Sequence, residues 1–337
     1  MIQLHIATRD LIRTCTSVRE GETKLGETVQ ICDSLDDMAT TSGTFVVFGI
    51  CEDIGVQANY GKPGARKAWD SFLTTFVNIQ ENKFNKGADI ILLGHISVSP
   101  DIKDIAQEPA DSLGTIVNRI DSKVAAVVQR IIESGKIPII IGGGHNNAYG
   151  IIKGTASALK KPIDIINFDA HTDLRSTDYR HSGNGFSYAF KQEKNAYLNH
   201  YTVFGLHENY TPQYILDAIE GGSYKDSVSL FLMEDMLLEA AQVSQFTKVK
   251  STLSKKSLGI EVDCDSIAHF SSSAQSSTGF SLEMMRYYLT ELAQLPLPAY
   301  LHICEASPSK KNKSQIGKAL TYLVTDFIRN YREHHSI

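Results

Sequence analysis

Residues 163–173 read IDIINFDAHTD and join an apolar run to three ionisable side chains. The run Ile163–Phe168 has the length and composition of a buried β-strand. Asp169, His171 and Asp173 follow at alternate positions, so in an extended backbone their side chains project from one face. Carboxylates that lie so close together repel each other unless a cation compensates their charge. The stretch therefore predicts half of a metal site, and its structural alternative is a turn in which Asp169 caps a helix.

The composition is that of an ordinary globular protein with a sizeable core. The chain has 337 residues, of which 42% are hydrophobic, 21% are charged and five are cysteines without a CxxC pair. This cysteine usage favours a reducing compartment, and a net charge of -5 gives no reason to expect nucleic acid or an anionic membrane as a partner. The first residues lack a signal-peptide pattern, and no apolar run approaches the roughly 18 residues of a membrane span. We expect a cytoplasmic protein.

Apolar runs alternate with helical patterns from about residue 44 onward, and most of the runs are continuous, as in strands covered on both faces. The predicted strands are Thr44–Ile50, Asp89–Gly94, Ile137–Ile141, Ile163–Phe168, Tyr201–Leu206, Ser227–Leu232, Leu258–Val262 and Ala299–Cys304. This order predicts an α/β protein with three α/β/α layers and a doubly wound, mostly parallel, eight-stranded sheet. Residues 1–43 are polar and weakly patterned, and we predict an N-terminal extension packed on the main domain, residues 44–337.

Ligands bind such sheets beyond the carboxyl ends of the strands, and three further strand ends carry candidate residues. His145 follows three glycines, Asp263 and Asp265 end another apolar run, and Glu305 ends the last strand. Each has a structural alternative. For His145 it is a glycine turn before a helix, for the aspartate pair a plain strand exit, and for Glu305 a helix cap or a solvated acid.

Taken together, the candidates are two histidines and four aspartates, and four ionised aspartates balance the charge of two divalent cations. Mixed nitrogen and oxygen ligands rich in carboxylate suit Mn(II), with Zn, Fe, Co or Ni possible. Two metals that share a water lower its pKa and hold it as hydroxide. The set therefore predicts a hydrolase.

In this order, the motifs GGGH, DAHTD, DCD and a terminal glutamate resemble those of the arginase/agmatinase/formimidoylglutamase (ureohydrolase) superfamily. The resemblance runs from about Thr44 to the C-terminus and implies an arginase-like fold, a centre with two Mn²⁺ ions and, as in relatives, a homo-oligomer. By motif, one metal would be bound by His145, Asp169, Asp173 and Asp263, and the other by His171, Asp169, Asp263 and Asp265. Glu305 matches the family's glutamate that contacts the amidinium-like end of the substrate.

The loop after the DAHTD motif resembles that of formimidoylglutamase, since it reads Asp173-Leu174-Arg175 and then HSGNGF. The segments at 52–55 and 59–66 also fit that branch. The proton-shuttling histidine of arginases has no counterpart here, because Gly185 and Phe186 stand at its place. The resemblance therefore implies hydrolysis of the C–N bond of N-formimidoyl-L-glutamate, which gives L-glutamate and formamide.

An arginine fork holds a carboxylate through two hydrogen bonds, so Arg175 and Arg180 favour an anionic amidine substrate. With them we predict Ser182 and Asn184 as substrate-binding residues, and the alternative for Arg175 is a local ion pair with Asp178. The predicted catalytic residues are Glu305, which orients the amidinium, and two candidate proton donors, Asp265 and His181.

Three other functions remain open from the sequence. Another ureohydrolase, such as an arginase, an agmatinase or a guanidino-acid hydrolase, would keep the metals and differ around residues 175–186. A catalytically silent arginase-like scaffold would agree with the missing histidine. A deacetylase on a related fold uses one metal and would leave Asp265 and His145 unexplained.

Overall fold

The computed structural model describes residues 2–98, 108–191, 196–253 and 255–335. Within these ranges, a single sheet of nine strands runs through the centre of the molecule in the order β1-β3-β2-β4-β9-β8-β5-β6-β7. The strands are β1 (Ile2–Ile6), β2 (Phe45–Cys51), β3 (Ile90–Val98), β4 (Ile137–Ile141), β5 (Ile163–Phe168), β6 (Leu198–Leu206), β7 (Val228–Leu232), β8 (Leu258–Asp263) and β9 (Pro298–Cys304). Every pairing is parallel except that of β1 with β3.

The predicted count of eight strands is wrong by one, because β1 adds an antiparallel edge strand to β3. Its residues alternate between half-buried Ile2, Leu4 and Ile6 and exposed Gln3 and His5. This period of two is typical of a strand with one solvated face. The predicted N-terminal extension therefore contributes to the sheet as well as packing on it, and its division from the main domain stays a prediction.

Helices cover both faces of the sheet. They are α1 (Arg9–Cys15), α2 (Leu25–Thr28), α3 (Ile54–Ala58), α4 (Ala68–Phe76), α5 (Ala110–Glu133), α6 (Asn147–Leu159), α7 (Gly185–Phe190), α8 (Gln213–Glu220), α9 (Glu239–Leu253), α10 (Leu282–Ala293) and α11 (Lys313–His335). Phe45 and Val47 of β2 pack in one hydrophobic cluster with α4, α9, α10 and α11, whereas Val46 and Phe48 pack in a second with α5, α6 and α7. Alternate residues thus serve opposite layers, which confirms the three-layer α/β/α fold.

The helix predicted most clearly from sequence is α5. Its stripe of Leu113, Val117, Ile120 and Val124 is buried because apolar residues three and four positions apart share one helical face. Gly135 follows the helix with a φ of +73°, a conformation that glycine adopts without steric cost.

Four strands that are neighbours at the centre of the sheet position the candidate residues. β4, β9, β8 and β5 run parallel and adjacent, so their carboxyl ends lie along one edge. The four motifs, which are up to 160 positions apart in the chain, are thereby brought to the same place. In the described ranges, no helix combines the length and the apolar character that crossing a bilayer requires.

Candidate metal centre

The loop after β4 turns sharply on two glycines. Gly142 and Gly143 have φ values of +87° and +74°, and a Cβ atom on Gly143 would lie 2.5 Å from the Asn147 side chain. The tight turn places the backbone N–H of His145 so that it donates to Glu305 Oε1 at 2.8 Å. The backbone N–H of Glu305 in turn donates to the Gly143 carbonyl at 3.0 Å. Two of the predicted site residues are therefore fixed to each other through these loops.

His145 is buried and faces three carboxylates at once. Its Nδ1 atom lies 3.1 Å from Asp169 Oδ2, 3.0 Å from Asp173 Oδ2 and 3.2 Å from Asp263 Oδ2. Within the described part of the chain, neither ring nitrogen has a partner with hydrogen-bond geometry. One N–H group can be directed at only one acceptor. A ring nitrogen and three carboxylate oxygens gathered around one point are better explained as ligands of a cation than as a set of hydrogen bonds.

A second cluster shares Asp169 with the first. His171 Nδ1 lies 2.9 Å from Asp265 Oδ2 and 3.5 Å from Asp169 Oδ1. The backbone N–H groups of His171 and Asp265 donate to Asp169 Oδ1 at 2.7 Å and to Asp263 Oδ1 at 2.9 Å. The structure thus brings all six predicted ligands together, and Asp169 belongs to two groups whose ligand atoms are close enough to hold an ion.

The electrostatics of the cluster reflect its surplus of carboxylates. Burial, together with Asp265 and Asp169, raises the pKa of Asp263 well above its usual range, and burial with Asp169 also raises the pKa of Asp173. Burial alone would lower the pKa of His171, but the two nearby carboxylates outweigh it and raise the pKa to about 12. Such a site calls for positive charge, and oxygen-rich donors with two imidazoles fit divalent metal ions.

Two residues of the site hold a strained backbone. Asp173 and Glu305 have φ values of +48° and +60°, a region that costs a non-glycine residue about 1–3 kcal/mol and that is enriched at functional sites. Glu305 Oε2 is buried without a hydrogen-bond partner in the described ranges, and burial raises the pKa of Glu305 to about 7. This oxygen is available to a ligand.

The cluster forms the floor of a cavity of about 200 Å³. The residues that line this cavity are Val56, Asn59, Gly61, His145, His171, Thr172, Asp173, Arg175, Ser182, Tyr210, Pro212, Ile215, Asp263, Asp265, Ser273, Ala274 and Glu305. Arg175 and Ser182, predicted to bind substrate, therefore lie beside the candidate metal ligands. Among the described residues no carboxylate lies within 4.0 Å of the Arg175 guanidinium, and Asp178 accepts a hydrogen bond from Ser176 instead.

The structure argues against the predicted substrate-binding roles of Arg180 and Asn184. The Arg180 side chain is fully buried and donates to both carboxylate oxygens of Asp121 in α5, at 2.8 and 3.2 Å. It also donates to Asn184 Oδ1, while the Asn184 amide donates to the Ser176 and Tyr179 carbonyls at 2.8 Å. The hydrogen-bonding groups of Arg180 and Asn184 are therefore satisfied within the protein, and they hold the loop at 176–184 against α5.

Replacing Asp121 by asparagine is expected to lower the free energy of unfolding by about 3 kcal/mol, because the buried Arg180 guanidinium loses its counter-charge. Asp326→Asn is the matched control. Asp326 holds Arg286 with a similar fork, at 2.6 and 3.3 Å, but the pair is more exposed and should contribute under about 1 kcal/mol. Urea unfolding measures both variants, and equal losses would contradict the prediction.

The structure also argues against His181 as the proton donor. His181 is buried, is absent from the residues that line the cavity, and uses its Nδ1 atom to accept from the Gly183 N–H at 3.1 Å. Burial and the charges of Arg180 and Arg175 lower the pKa of His181 to about 4. At neutral pH it is an uncharged residue that caps the turn at 182–184. Asp265, the other candidate, does line the cavity.

The lowered pKa of His181 predicts a loss of stability in acid. Between about pH 6.5 and pH 4 the unfolded chain binds a proton at His181 that the folded protein does not. The free energy of unfolding therefore decreases by at most about 3 kcal/mol as the pH is lowered through this range. His181→Asn keeps an acceptor for the Gly183 N–H but cannot titrate. Its unfolding free energy, measured at several pH values, should fall less steeply than that of the parent, and parallel slopes would refute the assignment.

Several residues of the cavity wall were not predicted from the sequence, among them Asn59, Tyr210 and Ser273. Asn59 donates from Nδ2 to Ser182 Oγ at 3.2 Å, and it lies in the segment 59–66 that already matched the formimidoylglutamase branch. Tyr210 follows the end of β6, and its ring stacks on His171 at 5.1 Å between centroids. Ser273 lies in the serine-rich run 271–277. The strand-end rule could have identified Tyr210, whereas nothing local marked Ser273.

Comparison with known proteins agrees with this geometry. A family model described as the arginase family matches residues 43–328, and the chain belongs to that family. A formimidoylglutamase from Macrococcus caseolyticus is 27% identical over 193 residues, which are 57% of this chain and 55% of that protein. One from Streptococcus gordonii is 30% identical over 182 residues, or 52% of this chain and 50% of that protein. The chain thus spans about half the length of the curated relatives it matches.

Solved structures share the fold at low sequence identity. A formiminoglutamase from Trypanosoma cruzi, crystallised with Mn²⁺, has a TM-score of 0.69 and is 18% identical, with 92% of this chain and 98% of that chain covered. At this identity the likeness establishes the arginase fold and leaves the chemistry to the residues of the site.

Proposed function

We propose that the protein is a binuclear-metal hydrolase that cleaves a C–N bond of a linear amidine, N-formimidoyl-L-glutamate, to L-glutamate and formamide. The observation that carries this proposal is the position of Arg175. Arg175 lines the cavity beside the six-residue cluster, and none of the described carboxylates forms an ion pair with it. The six-residue cluster consists of the predicted metal ligands His145, Asp169, His171, Asp173, Asp263 and Asp265. The formimidoylglutamases among its relatives support the same substrate.

We propose two Mn²⁺ ions as the cofactors, as in the T. cruzi formiminoglutamase. One would be held by His145, Asp169, Asp173 and Asp263, and the other by His171, Asp169, Asp263 and Asp265. The Nδ1 atom of His145, which has no hydrogen-bond partner among the described residues, fits this role. When bound, the ions would lower the pKa of a shared water and supply a hydroxide nucleophile.

The walls of the cavity recognise the two ends of the substrate. Arg175 binds a carboxylate of the glutamate moiety through two parallel hydrogen bonds. The Ser182 hydroxyl, which Asn59 holds in place, supplies a further donor on the same side. At the opposite end, Glu305 Oε2 accepts from an amidinium N–H and turns the formimidoyl carbon toward the six-residue cluster. An amine at the distal end, as in agmatine, would be repelled by Arg175.

Cleavage also needs a proton on the leaving nitrogen. The Asp265 carboxylate lies in the cavity beside His171. We propose that the Asp265 carboxylate takes a proton from the attacking water and passes it to the nitrogen of glutamate. Water then supplies the oxygen of formamide and both protons needed to balance the products.

Partner and location follow from the same proposal. A small anionic amidine is the partner, and the net charge of -5 gives no attraction to nucleic acid. We propose a homo-oligomer, as expected from the resemblance to the family, and a location in the cytoplasm, which the cysteine usage favours.

The test compares four substrates with one preparation. Protein loaded with Mn(II) receives formimidoylglutamate, arginine, agmatine or guanidinobutyrate, and formamide, glutamate and urea are quantified. We expect formamide and glutamate in equal amounts from formimidoylglutamate and little urea from the guanidines. Urea from arginine as the main product would overturn the substrate. No tightly bound metal and no turnover of any of the four substrates would favour the silent scaffold.

A further inference from the structure

The second nitrogen of His145 faces a buried acid that takes no part in the proposed reaction. His145 Nε2 lies 3.6 Å from Glu261 Oε2. Glu261 is fully buried in β8, two residues before Asp263. A carboxylate in such a place is costly unless its oxygens have partners.

Two residues of the neighbouring strand β9 supply those partners. The Tyr300 hydroxyl donates to Glu261 Oε1 at 2.6 Å, and His302 Nδ1 lies 2.6 Å from Glu261 Oε2. His302 pairs with Glu261 across the strands, and its Nε2 atom lies 3.3 Å from the Gly142 carbonyl in the turn that carries His145. The acid is therefore locked in one orientation, with an oxygen toward the imidazole of His145.

We propose that Glu261 is a positioning residue that keeps the proton of His145 on Nε2 and thereby leaves the lone pair of Nδ1 free for a metal ion. This inference rests on the metal centre of the proposed function. A neutral imidazole carries its proton on one nitrogen only, and the acceptor beside that nitrogen decides which one. Acceptors of this kind orient metal-bound histidines and strengthen them as ligands.

Of two groups that lie near His145, Glu261 is the better acceptor for the Nε2 proton. At 3.6 Å the two atoms are beyond hydrogen-bond distance, and a modest rotation of the imidazole brings them within it. Cys304 also lies near His145, but its thiol is directed at the Val262 carbonyl, 3.6 Å away, and sulfur is a weak acceptor. Glu261 is the stronger partner for the Nε2 proton.

Glu261→Gln tests the proposal through metal affinity. The variant removes the negative charge beside His145 Nε2 and has one acceptor oxygen where Glu261 has two, Oε1 for Tyr300 and Oε2 for His302 and His145, so the acceptor for the Nε2 proton is weakened. We expect affinity for one of the two Mn(II) ions to fall about 10–100-fold. In electron paramagnetic resonance, the signal of a coupled Mn(II) pair should give way to that of isolated Mn(II) at a metal concentration that saturates the parent.

Asp164→Asn is the matched control, because Asp164 is a buried acid at the opposite end of the sheet, where it accepts from Asn199 at 2.6 Å. Its Mn(II) affinities should equal those of the parent. Glu261→Asp is the second variant, since it keeps the charge but withdraws it from His145, and we expect a several-fold weaker affinity. Parental affinity in folded Glu261→Gln, or in Glu261→Asp if the first variant does not fold, overturns the proposal. A parent without a coupled Mn(II) pair would instead refute the proposed function.

Discussion

Asp169→Asn is expected to abolish binding of both metal ions and to lower the rate of amidine hydrolysis at least about a thousandfold. Asp169 is fully buried. In the described ranges its ligand atoms lie close to those of His145 and Asp173 in one group, and to those of His171 and Asp265 in another. Asp169 is the one side chain that these two groups share. An amide carries no charge to offset the cations, and its NH₂ group presents protons where a ligand oxygen is needed. Metal content after gel filtration and the rate of formamide release measure the two effects.

Asp164→Asn is again the informative comparison, because it makes the same chemical change in β5 at the strand's other end. That variant should keep both metals and the parental rate, even if some stability is lost. If Asp169→Asn retained two tightly bound metals, the assignment of Asp169 as a ligand shared by both ions would be wrong. If both variants lost activity in proportion to stability, the effect would be one of folding rather than of metal binding.

Arg175→Ala is expected to lower kcat/KM for formimidoylglutamate about a hundredfold, mostly through KM. Removing one partner of a charge-assisted contact between a fork and a carboxylate costs about 2–5 kcal/mol in comparable sites. Arg175 forms no ion pair with a described carboxylate, so the fold should not depend on its charge. Discrimination against agmatine should fall at the same time, because the repulsion of its amine disappears.

Two variants separate fork geometry from charge. Arg175→Lys keeps the charge but cannot hold a carboxylate through two parallel hydrogen bonds, so it should recover only part of the lost kcat/KM. Arg66→Ala removes a largely exposed arginine that lies 3.9 Å from Asp53 and outside the cavity lining, and it should leave KM unchanged. An Arg175→Ala enzyme with parental KM would show that the substrate carboxylate is recognised elsewhere.

The sheet and the metal-ligand candidates were predictable because the signal for each is local. Continuous apolar runs marked the strands, and every predicted ligand lies within the five residues that follow one of them. Once the strands are parallel and adjacent, their ends must meet. Asp169, His171 and Asp173 were placed at one site by assuming an extended chain, but the backbone bends at 170–171 and Asp173 has a φ of +48°, so the site was predicted correctly and its local backbone was not.

Other parts of the site depend on contacts that the local sequence does not reveal. Arg180 was predicted to bind an anionic substrate because an arginine fork suits a carboxylate, but its direction is set by Asp121, 59 positions earlier. The serine-rich run 271–277 carries no apolar pattern, yet Ser272 is buried and forms a β-bridge with Ala306 beside the site. β1 was missed because an edge strand of five residues carries only three apolar positions.

The tie between Arg180 and α5 has a consequence for protein engineering. The segment that carries Arg175 and Ser182 is held in place by Asp121 of α5, which binds Arg180. The loop and this aspartate should therefore be transferred together. Grafting residues 174–185 alone into a homologous scaffold should yield a poorly ordered specificity loop wherever that scaffold lacks an acid at the position of Asp121. Transplanting the aspartate together with the loop should restore order, and with it the preference for acidic substrates.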